Sequence, residues 1–133
     1  MPDFEREINE LHAFFMNWFQ AKLPKTREAY ARFEQVTHPD FHIVGPNGVL
    51  TAGSTLKESI YEQYNQRGDA RLWIKNYQHR AQHGDLHIVT YEEWQENGGK
   101  TTARLSTAVF IEDAAAPNGA QWLHVHETWI EGV

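Results

Sequence analysis

The sequence contains no cysteine, which excludes a disulfide framework, a thiolate nucleophile and a zinc–thiolate centre, and fits a reducing compartment. Positive charge is scarce. Twelve Lys plus Arg stand against eighteen Asp plus Glu, a net charge of -6, and no basic run gathers the cations. A nucleic-acid partner, which needs a basic surface against phosphates, is therefore not expected. Long apolar runs are missing as well. Ala13–Met16, the longest near the start, is far too short for a signal core or a membrane span, so no membrane partner and a cytoplasmic location are expected. No glycine-rich phosphate loop, Gly-x-Ser-x-Gly elbow or His-Glu-x-x-His segment occurs, and Ala52-Gly-Ser-Thr55 reads as a helix start.

What is present is ample core material for one domain over residues 1–133: 41 % hydrophobic and 13 % aromatic residues, with five Trp. Phe4, Ile8, Leu11, Phe15 and Trp18 recur at spacings of three and four, predicting a helix over 3–22, with Phe14 and Phe19 widening its stripe. Leu23-Pro24 ends it. Thr26 caps a second helix that presents Tyr30, Phe33 and Val36 before Pro39. Phe41–Val44, the turn Gly45–Gly48 and Val49–Thr51 read as a hairpin. A third helix carries Leu56, Ile60 and Tyr64, with a capping box at Thr55 and Glu58 and a left-handed stop at Gly68. From Arg71 the period becomes two, predicting strands over 71–82, 86–96, 101–111 and 121–130. Three helices on a bent antiparallel sheet, an α+β architecture, are the packing this order favours.

That order, the segment HPDFHIVGPNG after the second helix and the closing WLHVHETW resemble the SnoaL-like branch of the nuclear transport factor 2-like superfamily, over nearly the whole chain. The resemblance implies a cystatin-like cone whose pocket lies between concave sheet and helices, and a homodimer formed through the convex sheet face. It does not name an activity, because the superfamily holds isomerases, dehydratases, cyclases, transport factors and kinase association domains. Ketosteroid isomerases of this fold carry an Asp before the hairpin Pro and a Tyr on the first helix. Here Gly45 precedes Pro46, and Phe14 and Phe15 stand at the helix position.

Alternation in the last strand puts Leu123, Val125, Glu127 and Trp129 on one face and Trp122, His124, His126 and Thr128 on the other. Both faces are mixed, as expected when helices cover one and a partner covers the other. The first set, with Ala103, Leu105, Thr107 and Val109, is assigned to the pocket, and Trp122, His124, His126 and Thr128 to the dimer face. A tight turn at Gly84-Asp85 sets Asn76 and Gln78 opposite Glu93 and Tyr91 on the pocket side, and Phe15 and Trp18 face the pocket from the first helix. Glu93 and Glu127 are the catalytic candidates, since a carboxylate in an apolar cavity gains a pKa useful for proton transfer; the alternative leaves them at strand ends facing water or pairs them with Arg80 or Arg104. Asp40 with His42 is a weaker acid–base couple, and Tyr30, Tyr61 and Tyr64 read as core. His124-x-His126 could approach a metal, but no third ligand is fixed by spacing, so no metal and no cofactor are expected. Three functions follow: a binding protein for a small apolar or amphipathic molecule, a cofactor-independent acid–base enzyme, and an oligomerisation module.

Overall fold

The computed structural model describes residues 1–133. Its order is α1 (Phe4–Phe19), α2 (Arg27–Glu34), β1 (Thr37–Val44), β2 (Leu50–Ala52), α3 (Gly53–Glu62), β3 (Arg71–His83), β4 (Leu86–Asn97), β5 (Lys100–Glu112) and β6 (Ala120–Trp129). The strands form one sheet, β2-β1-β6-β5-β4-β3. Every neighbour is antiparallel except β1 beside β6, which run parallel.

Asp3 caps α1 by accepting from the Arg6 amide at 3.0 Å, and Thr26 caps α2 by accepting from Ala29 at 3.1 Å. α1 ends at Phe19, three residues before the predicted limit, and Ala21 takes a left-handed φ of 57°. The predicted box at Thr55 is not used. α3 opens two residues earlier at Gly53, with no side-chain cap, and Glu58 instead pairs with Arg27 at 3.3 Å. Gly53 is there because α3 meets β1 closely: a Cβ would stand 3.0 Å from the Phe41 carbonyl oxygen. The left-handed residue after α3 is Asn65, φ 60°, rather than Gly68.

Register assigns the faces. Tyr91, Ser106 and Glu127 lie in one cross-strand row; Val89, Ala108 and Val125 in the next; His87, Phe110 and Trp122 in a third. All nine are buried, so this is the concave face. α1 crosses it, and Phe4, Ile8 and Leu11 join Phe110 and Trp122 in the core. The opposite face carries the rows Ile88, Val109, His124 and Thr90, Thr107, His126 and Glu92, Leu105, Thr128.

Of the register shifts in the long strands, two move residues expected in the pocket or on the outer face. In β6 the register shifts between Val109 and Phe110, whose partners are His124 and Trp122. Leu123 is thus an extra residue, which brings Trp122 round to the face of Val125 and Glu127. In β3 the register shifts between Lys75 and Gln78, with Asn76 at φ 56°. Gln78 then pairs with Thr90 rather than Tyr91, and Ile74 with Glu93.

Beneath α1 a buried carboxylate ties the layers together. Glu7 is fully buried and accepts from Arg32 Nη2 at 2.9 Å, Arg32 Nη1 at 3.2 Å, Asn118 Nδ2 at 3.0 Å and Trp122 Nε1 at 2.9 Å. Four donors on two oxygens satisfy the charge, so α1, α2, the β5–β6 loop and β6 converge on one group.

Candidate functional site

A cavity of about 220 Å³ opens between the concave face and the three helices. Twelve of its nineteen lining residues are hydrophobic, which makes it an apolar chamber with a polar wall. Phe15 and Phe19 on α1, Phe33 on α2, Phe41 on β1 and Ile60 on α3 supply aromatic and aliphatic surface. The polar wall comes from His12, Glu93, Arg104 and Glu127, with Arg67 and Gln95 beside them.

The sheet places these groups because Glu93 pairs with Arg104 across β4–β5, and Ser106, two residues on from Arg104, pairs with Glu127 across β5–β6. Glu93 Oε1 lies 2.9 Å from His12 Nε2, and Gln95 donates to the other Glu93 oxygen. His12 Nδ1 lies 2.7 Å from the Ile8 carbonyl oxygen. Both ring nitrogens thus face acceptors, an arrangement that the doubly protonated imidazolium satisfies. Burial alone would lower the His12 pKa, but the charge and hydrogen bond of Glu93 outweigh it and raise it. Burial alone would raise Glu93, yet the His12 charge and hydrogen bond, helped by Arg104 and Gln95, hold it well below the ordinary range.

Glu127 has the opposite lot. It accepts one hydrogen bond, from Arg104 Nη1 at 3.2 Å. Burial, and then the negative charge of Glu93, push its carboxyl up to about 7 against the pull of Arg104. Tyr91, two residues from Glu93 on the same strand, lines the cavity too, its phenol driven well above 10 by burial and then by both carboxylates. Two buried carboxylates with pKa values pushed apart can hold one proton between them near neutrality.

Of the residues expected in the pocket, Glu93, Glu127, Tyr91, Val125 and Phe15 line the cavity. The others do not. Leu105 and Thr107 belong to the opposite face, because β5 presents Arg104, Ser106 and Ala108 inward, one residue out of step with the expected phase. Asn76 sits at the β3 bulge, exposed, donating to Glu92 at 2.7 Å; Gln78, beyond the bulge, faces outward beside Thr90. Trp18 points between the helices, its indole donating to the Ile60 carbonyl at 3.0 Å among Tyr30, Tyr61 and Tyr64. Trp129 pairs with Arg104 on the concave side but is 38 % exposed, donating to Asn47. Trp122, assigned to the outer face, lines the cavity instead. His124, His126 and Thr128 do lie on the outer face, with the two imidazole centroids 6.4 Å apart.

His12, Arg67 and Gln95 were not singled out from sequence, and Arg104 entered only as a surface partner. His12 is 81 residues from Glu93, and its one sequence-level signal was a polar residue inside an apolar helix stripe.

A family model described as sucrose-6-phosphate phosphohydrolase C-terminal matches residues 4–131. Sucrose-phosphatase 1 of Nicotiana tabacum is 22 % identical over 132 residues, 95 % of this chain and 30 % of its own. The chain spans about 30 % of the length of the curated relatives it matches. Among solved structures, an NTF-2-like protein of unknown function from Pseudomonas aeruginosa superposes with a TM-score of 0.85 at 25 % identity, covering 96 % of this chain and 98 % of that one. The CaMKII hub of S. rosetta superposes with a TM-score of 0.63 at 23 % identity, covering 80 % and 83 %.

Proposed function

The chain belongs to the sucrose-6-phosphate phosphohydrolase C-terminal family and has the nuclear transport factor 2-like fold, and from this premise we propose that it is a homodimeric domain that binds a small amphipathic molecule in its cone. One observation carries the reading: two ion pairs, Glu93 with His12, buried, and Glu127 with the partly buried Arg104, stand in the wall of an apolar cavity. Buried pairs rarely repay their desolvation as stability alone. Convergent polar groups in an apolar chamber instead orient a ligand. The full-length activity in the names of the curated relatives is a property of chains more than three times as long, and the apolar walls here offer few partners for the hydroxyls of a sugar.

The dimer is proposed through the outer sheet face, where Leu86, Ile88 and Leu105 are exposed beside His126 and Thr128. A second copy would cover that strip. Screening small amphipathic compounds by thermal shift, with mass by light scattering, tests both parts. Ligand-dependent stabilisation of a species of twice the chain mass is expected; no stabilisation by any compound would overturn the binding reading, and a monomer the dimer.

A second reading, a cofactor-independent acid–base enzyme, draws on Glu127 alone, whose carboxyl near 7 suits proton transfer. Turnover abolished in Glu127→Gln with ligand affinity retained would establish it.

A further inference from the structure

The charges around the cavity do not balance. Arg67, Arg104 and His12 line it against only Glu93 and Glu127, so with every group ionised the chamber holds one surplus positive charge inside a chain of net charge -6. The guanidinium groups are also poorly matched with acceptors. Arg104 donates one bond to Glu127 and its Nε is buried with no partner. Arg67, lying over the Phe19 ring at 4.1 Å, donates from Nη2 to Gln63. A guanidinium has five N–H donors. The two arginines feel one another: burial lowers the Arg67 pKa, and the Arg104 charge adds to that, offset by Glu93.

We infer that the cavity takes a small monocarboxylate, its planar carboxylate received by Arg104 and Arg67 and its apolar body, about one ring in size, lying against Phe15, Phe41 and Val125. The inference rests on the small-molecule reading above and narrows its ligand. A single negative charge cancels the surplus; a cation would double it, and a dianion would overshoot. A planar pair of acceptor oxygens fits the guanidinium fork. The cavity, about 220 Å³, exceeds the roughly 150 Å³ that holds benzene in an apolar core, leaving room for a short carboxylate arm. Glu127 competes with the ligand for Arg104, and its titration is set by the groups that face it: Glu93 on β4, Arg104 on β5 and His12 on α1.

Calorimetric titration with four probes of similar size tests this: phenylacetate, 2-phenylethanol, 2-phenylethylamine and phenyl phosphate, just above neutral pH, where Glu127 is ionised and phenyl phosphate is a dianion. Phenylacetate is expected to bind about tenfold more tightly than the other three. Arg67→Gln, at the half-buried end of the site, should weaken phenylacetate by about tenfold while leaving 2-phenylethanol unchanged. Arg104→Lys, which keeps the charge beside Glu127 but loses the fork, should do the same. If the alcohol, amine or phosphate binds as well as the acid, or if both variants bind phenylacetate normally, the carboxylate assignment fails and the small-molecule reading stands. If none of the four binds, the carboxylate assignment fails, and the wider thermal-shift screen decides the small-molecule reading.

Discussion

Glu7 and Glu127 are both buried carboxylates, and their surroundings send them in different directions. Glu7 meets four donors, so its role is to hold layers together. Glu7→Ala strands the Arg32 guanidinium and the Trp122 indole, and is expected to cost about 3–5 kcal/mol in denaturant unfolding. Glu127 meets one donor and a like-charged neighbour. The folded chain keeps its proton up to about 7, whereas the unfolded chain releases it near 4.5. The native state thus binds more protons across that window, and its stability falls as pH rises through it, by at most roughly 1.4 kcal/mol per pH unit for one site. Glu127→Gln should remove its share of that decline, read as unfolding midpoints that fall less steeply between those pH values. At this scale the sequence disclosed the two pocket carboxylates and offered Arg104 only as a surface partner, but not His12. A carboxylate in a strand of mixed polarity is visible in a single pattern. His12 acquires meaning only when α1 is laid across β4, a juxtaposition that no local spacing encodes.

Among the elements, helices and strands were legible because their periods are strong, and the phase of the strands was not. β5 has Ala103, Leu105, Thr107 and Val109 on one face and Arg104, Ser106, Ala108 and Phe110 on the other. Apolar count favours the first set, yet the second faces the cavity, since the interior is where the charged wall stands. Bulges at Leu123 and Asn76 then shifted Trp122 and Gln78 across the sheet. The junction of β2 and α3 is a sharper test of element geometry. Gly53→Ala would set a Cβ 3.0 Å from the Phe41 carbonyl oxygen and 3.3 Å from its Cβ. Since backbone cannot yield as a side-chain tip can, a loss of about 1–3 kcal/mol is expected in thermal or denaturant unfolding.

For the molecule as a whole, the bent sheet and its helical cover followed from element order, while the ligand and the assembly depend on faces that order alone leaves open. The proposed dimer places His124 and His126 at the contact. His124→Asp with His126→Asp would bury unpaired negative charge there, and a shift to half the native mass by light scattering is expected. An unchanged dimer would move the interface elsewhere. No helix is long and apolar enough to cross a membrane.

The parallel pairing of β1 with β6 has a consequence for how the chain reaches this state. β1 is synthesised early, but its long-strand neighbour is the last to emerge; until then it can pair only with the three-residue β2. Glu7 likewise waits for Trp122, 115 residues later. Closing so long a loop must precede the contacts that reward it, which makes such a topology slow to form. On the ribosome the sheet can close only once β6 emerges to stand between β1 and β5, so the aromatic interior gains its full cover late.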